Sequence, residues 1–396
     1  MRIFPKPIAA AAAAATLIAF AATAGTSAMA NRSRGVWFWG TTTAPGGGDS
    51  QYGAVHIVGN AAKEAQTVAF LKARGFKRLF GSYGSDPKND PGKIAAWNER
   101  LHLGGIQSQL LIAGAAEVDP AQRPGLITKI TERLIEFNNA AGRTVPEKFD
   151  ALHLDLEPQQ LGAWNAGSAA DKRAFLLQLR DTYAEIRAHL DANGLAGTPI
   201  FADIPFTWDK LPADGGSIGW LDAADRDAWF ADIAAPLAGL SIMTFSKDNF
   251  ADLDEATAYE RSVAGAVARV AIKADIGTGA VWANIADFHD IMQTLEANLG
   301  FSRAVDVENY ALYREALDAT PITGVPVALS AAPAELAFPC EPGFTYVVLH
   351  SKDLCLWAEA QRFRAQEHGM MKLPVKIRGE RRGFWGVYRF PEATGR

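Results

Sequence analysis

Short apolar runs and amphipathic stretches alternate along most of the chain. The apolar runs are rich in β-branched and aromatic residues, and the stretches between them repeat their apolar positions with the period of a helix. The predicted strands are Gly35–Trp39, Arg78–Ser82, Ser108–Ala113, Ala151–Glu157, Pro199–Ile204, Leu240–Phe245, Val270–Ala274 and Ala304–Val307. The predicted helices include Ala61–Arg74, Gly125–Ala141, Asp171–Ala192, Asp222–Ala235, Thr257–Val267 and Ile285–Leu299. Regular alternation of this kind indicates a parallel sheet covered by helices.

Repeated strand–helix units, eight in number, predict an α/β fold of the (β/α)8 TIM-barrel type over residues 31–322. A doubly wound open sheet is the alternative, and such a sheet favours a glycine-rich phosphate loop after an early strand. The glycine cluster at 46–48 has the spacing of neither common phosphate-binding motif. It therefore favours a surface loop, and the barrel is the preferred prediction.

The pattern changes after residue 322, where prolines separate short strand-like runs. These runs are Thr345–His350, Leu354–Trp357, Val375–Arg378 and Gly383–Phe390, and they predict a small β-rich subdomain over residues 323–396. The chain has two cysteines, Cys340 and Cys355, both in this part. In an exported protein such a pair favours a disulfide, with two buried thiols as the alternative.

The first thirty residues have the three parts of a secretory signal. Arg2 and Lys6 precede the apolar run Ile8–Ala22, and small residues follow it up to Ala30. We expect cleavage after Ala30 and a secreted or periplasmic protein with no integral membrane segment after cleavage. An uncleaved anchor helix is the alternative.

Composition and charge narrow the classes of function. The chain of 396 residues is 48% hydrophobic and 21% charged, which is typical of a globular protein with a large core. Its net charge of −5 becomes about −7 once residues 1–30, with their two basic and no acidic residues, are removed. An acidic chain of this kind is not expected to bind nucleic acid through bulk electrostatics.

The fourth predicted strand carries a row of ionisable side chains. Because side chains alternate along a strand, Leu152, Leu154 and Leu156 share one face while His153, Asp155 and Glu157 share the other. In a barrel the leucines pack under the helices, and the polar residues point inward and rise toward the C-terminal end, where barrel enzymes have their active sites. Two neighbouring carboxyl groups hold a proton more tightly, as general acid catalysis requires. An inward salt-bridge cluster with a purely structural role is the alternative.

This segment resembles the strand-four signature DxxDxDxE of chitinase-like glycoside hydrolases. Asp150, Asp155 and Glu157 match the pattern, and His153 stands in place of the middle aspartate. Two later stretches are similar to strands five and six of related barrels: Ala202–Pro205 followed by Trp208, and Ser241–Phe245 with Met243 in a Met-x-Tyr position.

The resemblance implies a mechanism in which Glu157 protonates the glycosidic oxygen. Asp155 would orient the 2-acetamido group of the substrate as the nucleophile, a known exception to the scheme with two carboxylates. Two departures bear on that mechanism: His153 replaces a carboxylate, and Phe245 stands where the family has a tyrosine hydroxyl that holds the acetamido group.

A conventional pair of carboxylates is therefore a second possibility, with Glu157 as the acid. The candidates for the second group are Asp203, Asp275, Asp306 and Glu308, of which Asp203 is the first choice because Trp208 nearby offers a sugar platform. Lys273 in the seventh strand is either an ion-pair partner or a substrate contact. Aromatic residues near strand ends are Trp37, Trp39, Tyr83, Trp208 and Trp282. The predicted substrate-binding residues are His153, Asp203, Trp208, Met243, Phe245, Trp39, Tyr83 and Asp275.

The sequence thus predicts a secreted glycoside hydrolase that acts on a polysaccharide or glycoconjugate and needs no cofactor or metal. A carbohydrate-binding barrel without catalysis is an alternative from another class. A metal-dependent hydrolase is a further one, with His153, Asp155 and Glu157 as ligands on one strand face. The remaining histidines are scattered, without the spacing of a common metal motif.

Overall fold

The structure, a computed structural model, describes residues 33–40, 50–263, 267–277, 279–300 and 305–319, and seven strands between Thr323 and Pro391. The signal predicted at residues 1–30 lies outside the described residues. So do Cys355 and the predicted strands Leu354–Trp357 and Val375–Arg378.

Eight parallel strands close into a barrel. They are β1 (Arg34–Phe38), β2 (Phe76–Gly81), β3 (Gln107–Gly114), β4 (Ala151–Leu156), β5 (Ile200–Pro205), β6 (Gly239–Met243), β7 (Ala268–Lys273) and β8 (Asp306–Glu308). Each strand pairs with the next in chain order, and β8 pairs with β1 to complete the circle. The predicted TIM barrel is confirmed, and closure of the sheet excludes the open-sheet alternative.

Helices connect the barrel strands. They are α1 (Ala54–Ile57), α2 (Ala61–Ala73), α3 (Asp86–Asn89), α4 (Pro91–Leu103), α5 (Arg123–Ile130), α6 (Glu136–Asn139), α7 (Gly162–Ala166), α8 (Ala169–Ala192), α9 (Ala223–Ala234), α10 (Phe250–Val263), α11 (Ile285–Leu299) and α12 (Tyr310–Ala319). A π-helical turn at Thr131–Ile135 joins α5 to α6. Helix α10 begins seven residues before the predicted Thr257, and α4 and α12 are helices of the predicted strand–helix units for which no bounds had been predicted. No described helix combines the length and apolar character needed to cross a bilayer.

The barrel has an outer and an inner apolar core. The outer core lies between strands and helices and includes Leu152, Leu154 and Leu156, each 0% exposed. Inside the barrel, Trp37, Phe80, Leu111 and Ala271 form a small cluster that Trp39 and Phe245 extend. The leucine face of β4 therefore packs outward as predicted, which leaves its polar face inside.

A buried ion pair lies in the lower half of the barrel interior. The Arg78 guanidinium donates to Oδ1 of Asp306 at 2.6 Å, with side-chain exposures of 5% and 0%. Ser241 donates to the other carboxylate oxygen of Asp306, also at 2.6 Å. Gly35 of β1 is needed here because a Cβ atom would lie only 2.3 Å from Oδ1 of Asp306 and 2.4 Å from the Phe80 ring.

The C-terminal part contains two antiparallel sheets. Its strands are β9 (Thr323–Gly324), β10 (Ala328–Ala331), β11 (Ala334–Cys340), β12 (Phe344–Ser351), β13 (Ala358–Arg364), β14 (Gly369–Pro374) and β15 (Phe384–Pro391). The strand orders are β10-β11-β14 and β13-β12-β15-β9. The predicted β-rich character is confirmed, and Arg362 ties β13 to the barrel by donating to Asp290 of α11 at 2.9 Å. Cys340 is buried in β11, and its disulfide with Cys355 stays a prediction.

Candidate active site

The polar face of β4 rises from the barrel interior to its C-terminal mouth. His153 is completely buried, Asp155 is partly exposed, and Glu157 lies just after the strand and is also partly exposed. The third match to the family pattern, Asp150, precedes the strand at the opposite end, where it accepts hydrogen bonds from the Ser108 backbone and His102. Asp150 therefore stabilises the N-terminal end of β4 and lies away from the candidate active site at the C-terminal mouth.

His153 is held inside the barrel by neighbours on both sides. Its Nδ1 lies 3.0 Å from Oε1 of Gln109, its Nε2 lies 2.8 Å from Oδ1 of Asp203, and its ring stacks on Phe80 at 4.1 Å. Burial lowers the pKa of His153 to about 3, so the imidazole is neutral at physiological pH. His153 is 0% exposed, so burial argues against direct contact with a substrate, and its substrate-binding role stays a prediction.

Asp203 is equally buried and belongs to the same network. Its Oδ2 accepts a hydrogen bond from the Trp37 indole at 3.1 Å. Burial, reinforced by the charges of Asp306 and Glu157, raises the pKa of Asp203 well above its usual range. A protonated Asp203 donates to Nε2 of the neutral His153, whose Nδ1–H donates to Gln109. Asp203 is thus a buried support, and its 0% exposure argues against the predicted roles in catalysis and substrate binding.

Replacing Asp203 with asparagine should remove part of the pH dependence of stability. The folded wild type keeps the Asp203 proton where the unfolded chain loses it, so its free energy of unfolding falls as pH rises above the ordinary aspartate pKa. Asparagine donates to His153 and accepts from Trp37 at every pH. We expect urea titrations to show that the free energy of unfolding of the variant, relative to the wild type, is more than about 1 kcal/mol higher at pH 8 than at pH 5.

Asp203→Ala is the control for this prediction. It leaves the Trp37 N–H and Nε2 of His153 without partners, so it should cost about 2–3 kcal/mol at both pH values. An asparagine variant that differs from the wild type by the same amount at both pH values would show that Asp203 is ionised in the folded protein.

Asp155 and Glu157 form a hydrogen-bonded pair of carboxyl groups at the mouth. Burial first, and then the nearby carboxyl groups of Asp203, Glu157 and Glu308, raise the pKa of Asp155 well above its usual range. Oδ1 of Asp155 is buried without a hydrogen-bond partner among the described residues. Asp155 therefore holds a proton to higher pH than an ordinary aspartate does.

Two amide side chains support Glu157 from the loop that follows it. Gln159 donates to Oε2 at 2.6 Å and Gln160 donates to Oε1 at 2.7 Å. Both residues belong to a 3-10 turn over Pro158–Gln160, which starts directly after the strand. The turn thus holds the carboxyl group of Glu157 by both oxygens.

Glu308 enters the mouth from β8. Burial, together with the charges of Glu157 and Asp275, raises its pKa to about 7 against the opposing effect of Lys273. Nζ of Lys273 lies 4.0 Å from Oε2 of Glu308, and the lysine side chain is 38% exposed. Glu308 was one of the four candidates for the second carboxylate. From β8, its charge interacts with those of Asp155 and Glu157.

Several predicted substrate-binding residues do lie at the mouth. Trp39 and Phe245 are partly exposed and pack on the inner cluster, and Met243 is partly exposed at the end of β6. Asp275 is partly exposed after β7. Phe206, which follows β5 and lies 5.3 Å from the Lys247 ammonium, had not been predicted, although its place one residue past the end of a strand was a usable signal.

The other predicted aromatic residues are buried. Trp208, Tyr83, Trp37 and Trp282 are exposed by 1%, 6%, 2% and 2%. This burial argues against Trp208 as a sugar platform and against Tyr83 as a substrate contact, and both roles stay predictions. Trp208 packs against Trp164 and Trp229 in the outer core, and Tyr83 accepts a hydrogen bond from the Trp97 indole.

The metal-dependent alternative finds no support in this geometry. Both ring nitrogens of His153 are engaged, by Gln109 and Asp203, so the proposed histidine ligand is not free. Within the described part of the chain, no group of three or more His, Cys, Asp or Glu side chains is arranged to hold a metal ion.

Comparison with solved structures finds proteins of several activities, all at low identity. A D-psicose 3-epimerase from Clostridium cellulolyticum is 12% identical, covers 72% of this chain and 92% of its own, and has a TM-score of 0.42. A chitinase from Rhizomucor miehei is 10% identical, with coverages of 62% and 94% and a TM-score of 0.40. A group II chitinase catalytic domain from Ostrinia furnacalis is 12% identical, with coverages of 61% and 63% and a TM-score of 0.34. No protein-family model and no curated protein matches the chain. Since one fold supports many activities, function has to be inferred from the site residues.

Proposed function

We propose that this protein is a secreted glycoside hydrolase that cleaves a polysaccharide or glycoconjugate by general acid catalysis, with Glu157 as the proton donor. The observation that carries the proposal is the hydrogen-bonded Asp155–Glu157 pair at the C-terminal mouth of the barrel, in which burial and the neighbouring carboxyl groups raise the pKa of Asp155 well above its usual range. General acid catalysis at a glycosidic oxygen requires a carboxyl group in this state.

The two carboxyl groups have different tasks. Asp155 lies deeper, and its raised pKa makes it the store of the proton. Glu157 lies one step nearer the mouth, and we assign to it the delivery of the proton to the leaving oxygen. The amide groups of Gln159 and Gln160 then stabilise the negative charge left on Glu157.

The rim of the mouth suits a sugar chain. Trp39 and Phe245 expose part of their rings there, and aromatic faces pack well against the apolar face of a pyranose ring. Lys247, after β6, and Lys273, at the end of β7, provide hydrogen-bond donors for the hydroxyl groups of a sugar. Secretion is proposed from residues 1–30, and N-terminal sequencing of exported protein should find Asn31 as the first residue.

The test is oligosaccharide release from a panel of polysaccharides that includes chitin and its deacetylated form, chitosan. Wild-type protein should cleave at least one polymer, and Glu157→Gln should lose at least about a hundredfold in rate, since an amide cannot donate the proton. Glu136→Gln, at an exposed position on α6, is the matched control and should keep full activity.

Two other outcomes would change the assignment. Cleavage that Glu157→Gln retains would remove Glu157 from the role of acid. Binding of a polymer with no cleavage by any variant would favour a carbohydrate-binding barrel without catalysis.

A further inference from the structure

Hydrolysis of a glycosidic bond needs a second group besides the acid, and the structure separates the four candidate carboxylates. Asp203 and Asp306 are both 0% exposed and are engaged inside the barrel, the first by His153 and Trp37, the second by Arg78 and Ser241. Neither reaches a substrate. Asp275 and Glu308 remain, both partly exposed near the mouth.

Glu308 enters the mouth on the side of the barrel opposite the acid. In a closed barrel of eight strands, β8 stands opposite β4, so Glu308 and Glu157 approach the mouth from opposite walls. Glu308 is on the inward face of β8, two residues after Asp306, and pairs in register with Lys273 of β7. Its Oε2 is buried and has no hydrogen-bond partner among the described residues, and the nearest cation, Nζ of Lys273, is 4.0 Å away.

We infer that Glu308 is the general base, which takes a proton from the water that attacks the anomeric carbon while Glu157 protonates the leaving oxygen. This inference rests on the proposed glycosidase function and deepens it. The C–O bond to the leaving group breaks with its electron pair on the departing oxygen, which receives the Glu157 proton. The water oxygen forms the new bond to carbon, and its proton goes to the Glu308 carboxylate. Solvent then returns one proton to Glu157 and removes one from Glu308.

The role of Glu308 as a base predicts the stereochemical outcome. A base acts on a water molecule that attacks the face of the sugar away from the leaving group, so the products should have inverted configuration. The step makes no use of an acetamido group. That agrees with Phe245, which has no hydroxyl to hold such a group.

The charges around Glu308 suit a base at neutral pH. It is faced by Lys273 and Asp275 from β7 and its following loop, and by Asp155 and Glu157 from β4. Its pKa of about 7 means that half of it is ionised at neutral pH. A base acts only when ionised, so kcat/KM should rise with pH through about 7 on the acid side of the profile.

The decisive experiment uses full-length protein on the polymers that the wild type cleaves, chitin and chitosan included, with product anomers read by proton NMR. We expect inverted products, cleavage that does not depend on acetylation, and a loss of at least about a hundredfold in kcat for Glu308→Gln, with KM changed less than about threefold. Glu315→Gln, on the exposed side of α12, is the matched control. Thermal unfolding of each variant checks that it is folded.

Substitution of Lys273 tests the role of Glu308 through the pH profile of kcat/KM, which would not change if Glu308 were only structural. Lys273→Met removes the cation that favours the Glu308 carboxylate, so the acid limb of the profile should shift to higher pH, while Lys273→Arg should leave it in place. Products of retained configuration, or Glu308→Gln within tenfold of wild-type activity, would overturn the inference while Glu157→Gln still tests the acid. No cleavage by the wild type would remove both the inference and the proposed function.

Discussion

Replacing Asp306 with alanine should lower the free energy of unfolding by about 3–5 kcal/mol. Asp306 is the counter-charge of Arg78, and the pair lies inside the barrel with side-chain exposures of 5% for Arg78 and 0% for Asp306. Without the carboxylate, a buried guanidinium loses its partner. Arg269, whose pKa burial and the Arg78 charge already lower to about 10, also loses the attraction of Asp306. Urea unfolding at pH 7 measures the loss.

Two controls separate the buried charge from the general cost of a substitution. Asp232→Ala breaks an exposed pair with Arg180 and should change stability by less than about 1 kcal/mol. The double variant Arg78→Met with Asp306→Leu removes both charges and should recover most of the loss, because apolar residues of similar volume replace a buried ion pair well. If Asp306→Ala costs as little as Asp232→Ala, water must reach Arg78 in the folded protein.

The barrel was predictable because its signals are local. Apolar runs of strand length alternate with helical periods, and all eight strands lie where these runs predict them, within a few residues. The bounds of helix α4 were not predicted, although its signals are present. Asp90 caps it by accepting from the Lys93 backbone, Pro91 opens it, and Ile94, Trp97 and Leu101 form its buried stripe. Because many polar residues lie between these apolar positions, the overall apolar content of the segment is low and does not indicate a helix.

The sequence predicts which side chains of β4 point into the barrel, but not how far below the mouth each of them lies. Alternation along β4 correctly separates Leu154 from Asp155, because that period is a property of a single strand. How far each inward residue lies from the mouth depends on the register between strands, which pairs Asp203 with Ser241 and His153 with Phe201. Register is set by contacts far apart in sequence. The burial of His153 and Asp203, and the place of Glu308 opposite Glu157, could not be read from the sequence for this reason.

Burial of the aromatic residues depends equally on distant contacts. Trp208 follows β5 and looked like a rim residue, but Trp164 from α7 and Trp229 from α9 cover its ring on the outside of the barrel. Trp39 has a similar place after β1 and stays partly exposed because it continues the inward face of its strand. The two tryptophans thus give opposite expectations for the same substitution.

Trp208→Ala should cost about 3–5 kcal/mol of stability, as expected for removing a buried indole from a packed core. It should leave the KM of the folded protein for a cleaved polymer within about twofold, because the ring touches no substrate. Trp39→Ala should do the reverse, costing less than about 1.5 kcal/mol and raising KM by roughly tenfold through the loss of a stacking surface at the mouth. Urea unfolding and steady-state kinetics below the unfolding transition give the two readouts. A Trp208→Ala protein of wild-type stability with a raised KM would restore Trp208 to the sugar site, and it would mean that the loop after β5 turns toward the mouth when the substrate binds.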